Sequence, residues 1–338
     1  MNLLSSKRNT TVDFLRGIAM LMVVLGHTLT GSMKNAEQSL VYNIIWAIQM
    51  PLFVVISGYV TKYSKPISDI KELWKVVKKR TFSYMFPWLV WTIIIRGIIF
   101  SQKSFLNLKW LVFHMDSGYW FLFTIWIISI IYCLSDYFTN KTKTVGVWKF
   151  IVFTSIYLCF LVVVLIVGYL GGLSLLGSKL TLYYLPFYYC GAMFGRYQYK
   201  FDNKQRIKDL FISIATISFV FIILRIHLFD LADTPKDVIL RVCASLTGCI
   251  ALCGLLGPLY KNKAKAFAGV VYIGTHSIEI YLTHYLFLTP LNYIANGKFE
   301  IIIIPIINFG LTVLLCTVSI VLLEQNKILA KFLYGKDI

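Results

Sequence analysis

Long apolar runs separated by short polar stretches occupy most of the chain between residues 12 and 323. A run of roughly 17 to 25 mostly apolar residues is long enough to cross the hydrocarbon core of a bilayer as a helix. This criterion predicts ten transmembrane helices, at residues 12–30, 39–61, 82–100, 118–137, 148–170, 180–198, 209–227, 238–258, 269–289 and 301–323. The pattern predicts an all-α integral membrane protein with one transmembrane domain over residues 1–338 and no soluble domain.

The composition supports a membrane protein and changes how the charge is interpreted. Of the 338 residues, 58% are apolar and 14% are charged, while the net charge is +18. Such a charge suggests a nucleic-acid partner in a soluble protein. Here the basic residues concentrate in alternate loops, which marks those loops as cytoplasmic. Both termini are therefore predicted to be cytoplasmic, and no nucleic-acid partner is expected.

The first predicted helix carries two polar side chains that point to chemistry. Arg16 and His27 are eleven steps apart, which is close to three helical turns, so both project from one face about 16 Å apart. Asp13 lies three residues before Arg16 and can pair with it. Arg16 either extends to the interface or binds a ligand. His27 either forms interfacial hydrogen bonds or serves as a general base near neutral pH.

The ninth predicted helix holds the second dense set of polar residues. Ser277, Tyr281 and His284 recur at i, i+4 and i+7 and therefore share one stripe. Glu279 points elsewhere. Because an ionised carboxylate is costly in a membrane, Glu279 is expected to pair, with His276 three residues earlier as the candidate, or to be protonated or in contact with water. His284 has a predicted depth similar to that of His27. The stripe is either part of one site with His27 or a set of hydrogen bonds that joins helices.

Two further groups are candidates for binding. Lys78, Lys79 and Arg80 precede the third helix, where they either bind anionic lipids and fix topology or hold the phosphates of a ligand. His114 lies in the following loop, shortly before Trp120. These two residues either contact a carbohydrate or belong to the aromatic belt at the membrane surface. The seven cysteines have no metal-ligand spacing, and no metal site is predicted.

Five motifs occur in the order found in the membrane-bound acyltransferase-3 family. They are DFLRGIAMLMVVLGH at 13–27, MPLFVVISGY at 50–59, KKRTFSYMFPW at 78–88, YWFL at 119–122 and YIGTHSIEIYLTHY at 272–285. The chain resembles in particular the branch of fucose 4-O-acetylase-like and polysaccharide O-acetyltransferases, whose usual count is also ten helices. One departure is Gln49, which stands where this branch often has histidine. Glutamine can still donate and accept hydrogen bonds and orient a sugar.

The resemblance implies a membrane O-acyltransferase of the cell envelope. Its donor is expected to be cytosolic acetyl-CoA or another acyl-CoA such as succinyl-CoA, with no bound cofactor. Its acceptor is expected to be a hydroxyl of a cell-surface or lipid-linked glycan. Arg16 and Arg80 would hold the nucleotide end of the donor, and His27 would act as general base or carry the acyl group.

A multi-pass transporter or flippase of a lipid-linked sugar is the alternative, and it would make no bond. Such a protein also needs many helices and polar groups within the membrane, but it would not consume acetyl-CoA. The expected location is the cytoplasmic membrane, in contact with its lipids. A chain rich in Ile, Lys, Asn and Phe fits a bacterial protein.

Overall fold

The computed structural model describes residues 9–201, 203–295 and 303–336, with side chains omitted from 289 to 295. The described residues fold into fourteen α-helices, joined by 3-10 and π-helical segments and loops. These helices are α1 Thr10–Ser32, α2 Leu40–Tyr59, α3 Ile70–Arg80, α4 Phe86–Leu89, α5 Leu108–Phe113, α6 Trp120–Lys141, α7 Gly146–Gly171, α8 Ser178–Tyr197, α9 Gln205–Arg225, α10 Pro235–Asn262, α11 Ala268–Thr275, α12 Ser277–Ala295, α13 Ile303–Glu324 and α14 Lys327–Tyr334. Three of the loop basic residues that bear on the predicted topology, Lys7, Arg8 and Lys298, lie outside the described residues, as do the first two residues of the predicted helix 301–323.

Eight helical segments within the described residues are long and apolar enough to cross a membrane. They are Thr10–Ser32, Leu40–Tyr63, Ile70–Ile99, Trp120–Lys141, Gly146–Gly171, Gln205–Arg225, Pro235–Asn262 and Ile303–Glu324. The protein is therefore an all-helical membrane protein. Of the ten predicted spans, those at 180–198 and 269–289 are not in this set. Helix α8 is rich in tyrosine, and the other run is divided between α11 and α12. The sides on which the termini lie stay a prediction.

The third span begins well before its predicted start at residue 82. Asp69 caps α3 by accepting a hydrogen bond from the backbone N–H of Glu72, at 2.8 Å. The helix consequently starts at Ile70, and the basic residues assigned to a loop are helical. Beyond α3 the span continues as π-helix over Thr81–Met85 and Val90–Ile99, on either side of α4. Pro87 cannot donate to the regular hydrogen-bond ladder, which contributes to this irregular winding.

The helices group into two compact units. The first unit comprises the chain up to Tyr59 and the segment Met193–Val321, and the second comprises Val60–Ala192 and the chain from Leu322 onward. In the first unit, α1 packs against α2, α10, α11 and α12. In the second unit, α6 packs against α3 and α7. A single transmembrane domain over residues 1–338 stays a prediction.

Helices α1 and α11 approach each other backbone to backbone. A Cβ atom placed on Gly17 would overlap the carbonyl oxygen of Val270. One placed on Gly274 would overlap the carbonyl oxygen of Asp13. Small residues allow such close contact between membrane helices. Because α12 follows α11 directly, this contact also fixes where α12 begins relative to α1.

A histidine cluster on helices α1 and α12

His27 of α1 meets two residues of α12 in the interior of the first unit. Its ring stacks on that of His284, with centroids 5.4 Å apart and an interplanar angle of 26°. The hydroxyl of Tyr285 lies 3.1 Å from Nε2 of His27 and 3.4 Å from Nδ1. A tyrosine hydroxyl can donate to an unprotonated nitrogen or accept from a protonated one. Tyr285 can therefore hydrogen-bond to His27 in either tautomer.

The orientation of His284 is fixed by its own helix. Its Nδ1 lies 2.7 Å from the carbonyl oxygen of Tyr281 and 3.1 Å from that of Ile280. Carbonyl oxygens only accept hydrogen bonds, so Nδ1 carries the hydrogen and, in the neutral ring, Nε2 holds the lone pair. The side chain is fully buried. Burial and two backbone contacts therefore present His284 as a rigid imidazole with a defined tautomer.

The predicted ion pair at the other end of α1 is confirmed. Nη1 of Arg16 lies 3.8 Å from Oδ1 of Asp13, and Asp13 is buried while Arg16 is partly exposed. The carboxylate offsets part of the arginine charge and limits the positions that the guanidinium can take. Arg16 and His27 belong to one uninterrupted helix of 23 residues. Their separation along its axis is therefore about 16 Å.

Gln49 lies on α2 beside the turn of α1 that carries His27. A Cβ atom placed on Gly26 would lie 3.1 Å from Oε1 of Gln49, so the absence of a side chain at Gly26 makes room for the carboxamide. This oxygen is buried and accepts no hydrogen bond from any described residue. Buried polar atoms are usually satisfied, so Oε1 of Gln49 is a place where a ligand hydroxyl or amide could donate.

The remaining predicted residues of α12 lie on the same helix as His284. Ser277 is its first residue and is partly buried. The ring of Tyr281 lies 5.9 Å from that of His284 and is buried. Glu279 is also buried, at 1% exposure. The helix break at His276, where Nδ1 faces the carbonyl oxygen of Tyr272 at 2.9 Å, separates this polar set from α11.

The other predicted binding residues belong to the second unit. Within the basic cluster, Lys78 and Lys79 are exposed, whereas Arg80 is half-buried and lies near the hydroxyl of Tyr188. Their positions on α3 explain this difference, because consecutive helical residues project about 100° apart. Arg80 therefore faces the protein near Tyr188, whereas the two lysines face the surroundings.

The remaining candidates of the second unit, Trp120 and His114, each contact another aromatic ring. Trp120 stacks on Tyr184, with ring centroids 5.6 Å apart, which covers one face of the indole. His114 is exposed and packs on the ring of Trp110, at 4.7 Å. An exposed imidazole and an indole with one face covered could still contact a carbohydrate.

Tyr285 is the site residue that the sequence interpretation missed. It follows His284 directly, and adjacent residues on a helix point about 100° apart, so it is absent from the stripe of Ser277, Tyr281 and His284. The motif at 272–285 ends on this tyrosine. Its inclusion in that motif was the available signal.

The arrangement combines groups that acyl transfer requires. A neutral imidazole can accept a proton from an attacking hydroxyl. The tyrosine hydroxyl can orient that imidazole, and a buried setting limits the access of water. The ion pair of Asp13 and Arg16 places a cation on the same helix. A cation of this kind can bind an anionic donor.

Comparison with known proteins gives a family match over most of the chain. A family model described as an acyltransferase domain matches residues 9–324. The nodulation protein NolL of Mesorhizobium japonicum is 27% identical over 136 residues, which cover 38% of this chain and 36% of the relative. The nodulation protein NolL of Sinorhizobium fredii is 28% identical over 137 residues, covering 36% and 35%. The matched region thus spans about a third of these relatives' length. No solved structure matches the chain significantly.

Proposed function

Because this chain belongs to the acyltransferase-3 family, we propose that it is a membrane O-acetyltransferase with acetyl-CoA as donor and a hydroxyl of a cell-surface or lipid-linked glycan as acceptor. The observation that carries this proposal is the contact of the partly buried His27 with the buried His284 and the partly buried Tyr285. His27 lies on the helix that also bears Arg16. A carrier of a lipid-linked sugar has no evident need for this pairing of a base with a distant cation.

His27 is the general base in this proposal. It removes the proton of the acceptor hydroxyl as the hydroxyl oxygen attacks the thioester carbonyl. The carbon–sulfur bond then breaks, and the departing thiolate of coenzyme A takes the proton from the imidazolium. The new ester remains on the glycan. Tyr285 orients the imidazole throughout, because its hydroxyl reaches both ring nitrogens.

Arg16 binds the anionic end of the donor in this proposal. Arginine presents several donors in a fixed plane that suits phosphate oxygens. The predicted orientation puts Arg16 near the cytosol and His27 near the outer face of the membrane. The extended pantetheine arm would then follow α1, over a distance similar to the separation of the two side chains. Arg80, Lys78 and Lys79 are proposed to attract the anionic donor to the membrane surface.

The experiment uses the full chain in lipid nanodiscs with radiolabelled acetyl-CoA and lipid-linked saccharides extracted from bacterial membranes. The variants are His27→Gln and Arg16→Gln, and the matched control is His227→Gln at an exposed position in the first unit. We expect His27→Gln to lower kcat by 100-fold or more on the scale of a lost general base. We expect Arg16→Gln chiefly to raise the KM for acetyl-CoA, and His227→Gln to behave like the wild type.

Two results would count against the proposal. If the wild-type protein transfers no label to any saccharide, the proposed O-acetyltransferase function is wrong. If His27→Gln is folded, present at an equal amount and fully active, His27 is not the general base.

A further inference from the structure

His284 has one nitrogen for which the structure provides no protein partner. Its Nε2 is buried, and none of the residues that the structure describes forms a hydrogen bond with it. The hydrogen on Nδ1 is committed to the backbone carbonyls of Ile280 and Tyr281. Nε2 is therefore an acceptor in the neutral ring, and a buried acceptor of this kind calls for a donor.

The ring that carries this nitrogen lies beside the ring of the proposed base, His27. The rings of His27 and His284 are nearly parallel, with centroids 5.4 Å apart. Hydroxyl-to-nitrogen hydrogen bonds have lengths of about 2.8 Å. Adjacent hydroxyl oxygens in the gauche arrangement on a sugar ring are separated by about the length of a hydrogen bond between two oxygens. Two hydrogen bonds and this separation together reach further than the 5.4 Å between the ring centroids, so two neighbouring hydroxyls of one acceptor can bond to both imidazoles.

We infer that the two imidazoles bind neighbouring hydroxyls, and that the acceptor is consequently a vicinal diol of a sugar ring rather than an isolated alcohol. This inference rests on the proposed function and specifies its acceptor. One hydroxyl gives its proton to His27 and becomes acetylated. Its neighbour donates a hydrogen bond to Nε2 of His284 and remains unmodified. His284 positions the acceptor and takes no proton in the reaction.

The first test observes the imidazole directly and requires no turnover. The chain has five histidines, so the protein can be labelled with ¹³C,¹⁵N-histidine in lipid bilayers and read by solid-state NMR. The resonances of His284 are assigned with His284→Asn, whose side-chain amide can still donate to the two carbonyls. The probes are methyl β-D-galactopyranoside, which has vicinal hydroxyls, and cyclohexanol, which has one hydroxyl.

We expect His284 to show a hydrogen on Nδ1 and a lone pair on Nε2, and the galactoside to shift the Nε2 resonance while cyclohexanol leaves it unchanged. A hydrogen on Nε2, an equal response to both probes, or no response to the galactoside would overturn the inference.

The second test measures coupling between the residue and the neighbouring hydroxyl. The acceptors are methyl β-D-galactopyranoside and its 2-, 3- and 4-deoxy analogues, with radiolabelled acetyl-CoA as donor. In the wild type, removing the hydroxyl beside the acetylated one should lower kcat/KM by about 10-fold or more, since a buried acceptor loses its donor. In His284→Asn the same removal should have little effect. An equal penalty in both proteins would contradict a contact with His284.

The two tests distinguish failure of the inference from failure of the proposed function. If no acceptor receives label from acetyl-CoA, the transferase proposal fails, and the NMR experiment still decides whether a diol binds at His284. If label is transferred but the penalty of the deoxy analogue is independent of His284, only the inference fails.

Discussion

The hydroxyl of Tyr285 determines how His27 is presented to a reacting group. Replacing Tyr285 by phenylalanine keeps the ring that contacts both histidines and removes the hydroxyl that hydrogen-bonds to His27. A single hydrogen bond contributes about 1 kcal/mol, which corresponds to roughly a five-fold change in rate. We expect Tyr285→Phe to lower kcat by about that factor and to lower the free energy of unfolding by no more than about 1 kcal/mol, measured by initial rates and by thermal melting in detergent.

A matched control for this variant is Tyr169→Phe. Tyr169 lies on α7 of the second unit and is 84% exposed, so its hydroxyl is available to solvent or lipid. Its replacement should leave kcat unchanged. Equal rates for Tyr285→Phe and the wild type would show that the hydroxyl does not orient His27 during the reaction.

Helical periodicity sufficed to predict some contacts of individual residues and not others. The pairing of Asp13 with Arg16 followed from their spacing, because both lie on the same helix. The contact of His27 with His284 depends on the packing of two helices that are far apart in the sequence. The tautomer of His284 depends on the distances to two backbone carbonyls, which no one-dimensional pattern contains.

At the scale of the elements, the contact between α1 and α11 positions the histidine cluster. Alanine is favoured over glycine within a helix by about 1 kcal/mol. At Gly274, however, a Cβ atom would overlap the carbonyl of Asp13. We expect Gly274→Ala to destabilise the protein by about 1 to 3 kcal/mol through overpacking. It should also reduce activity, because α12 would move relative to His27.

Gly269→Ala is the control on the same helix. A Cβ atom placed there has no described neighbour within 4 Å outside the local helix backbone. This variant should melt at the same temperature as the wild type or slightly higher and should keep its activity. A Gly274→Ala protein as stable and as active as Gly269→Ala would disprove the role assigned to the helix contact.

The break between α11 and α12 shows why the boundaries of one predicted element were wrong. Residues 269–289 form one apolar run, and the average hydropathy of this run gives no sign that the helix ends within it. In the structure, the hydroxyl of Thr275 donates to the carbonyl of Tyr272 at 2.7 Å, and Nδ1 of His276 faces the same carbonyl. Local side-chain contacts with the end of a helix compete with its continuation.

For the whole molecule, the distribution of basic residues predicts the topology. A short epitope inserted after Lys65 should be protected in intact spheroplasts, because the loop that contains it is predicted to be cytoplasmic. The same epitope inserted after Lys103 should bind antibody without permeabilisation. Both positions are exposed in the structure. Antibody binding in the reverse pattern would show that the orientation is opposite to the predicted one. Arg16 would then lie on the wrong side of the membrane for a cytosolic donor.

The apolar pattern predicted an all-helical membrane protein, and eight of the described helical segments have the necessary length and composition. It did not predict the π-helical winding of the third span, because hydropathy is insensitive to the hydrogen-bond register within a helix. Nor did it predict the short helices of the loops, such as α5 and α14. These depend on local capping by Asn107 and Asn326.

The most direct test of acyl transfer at the histidine cluster is the ester-linked acetate on cell-surface glycans, measured by mass spectrometry. Cells without their own copy of the protein would carry either the wild-type chain or His27→Ala, at equal amounts in the membrane. The proposed role of His27 predicts acetate with the wild type and none above background with His27→Ala. Equal acetate in the two strains would contradict it.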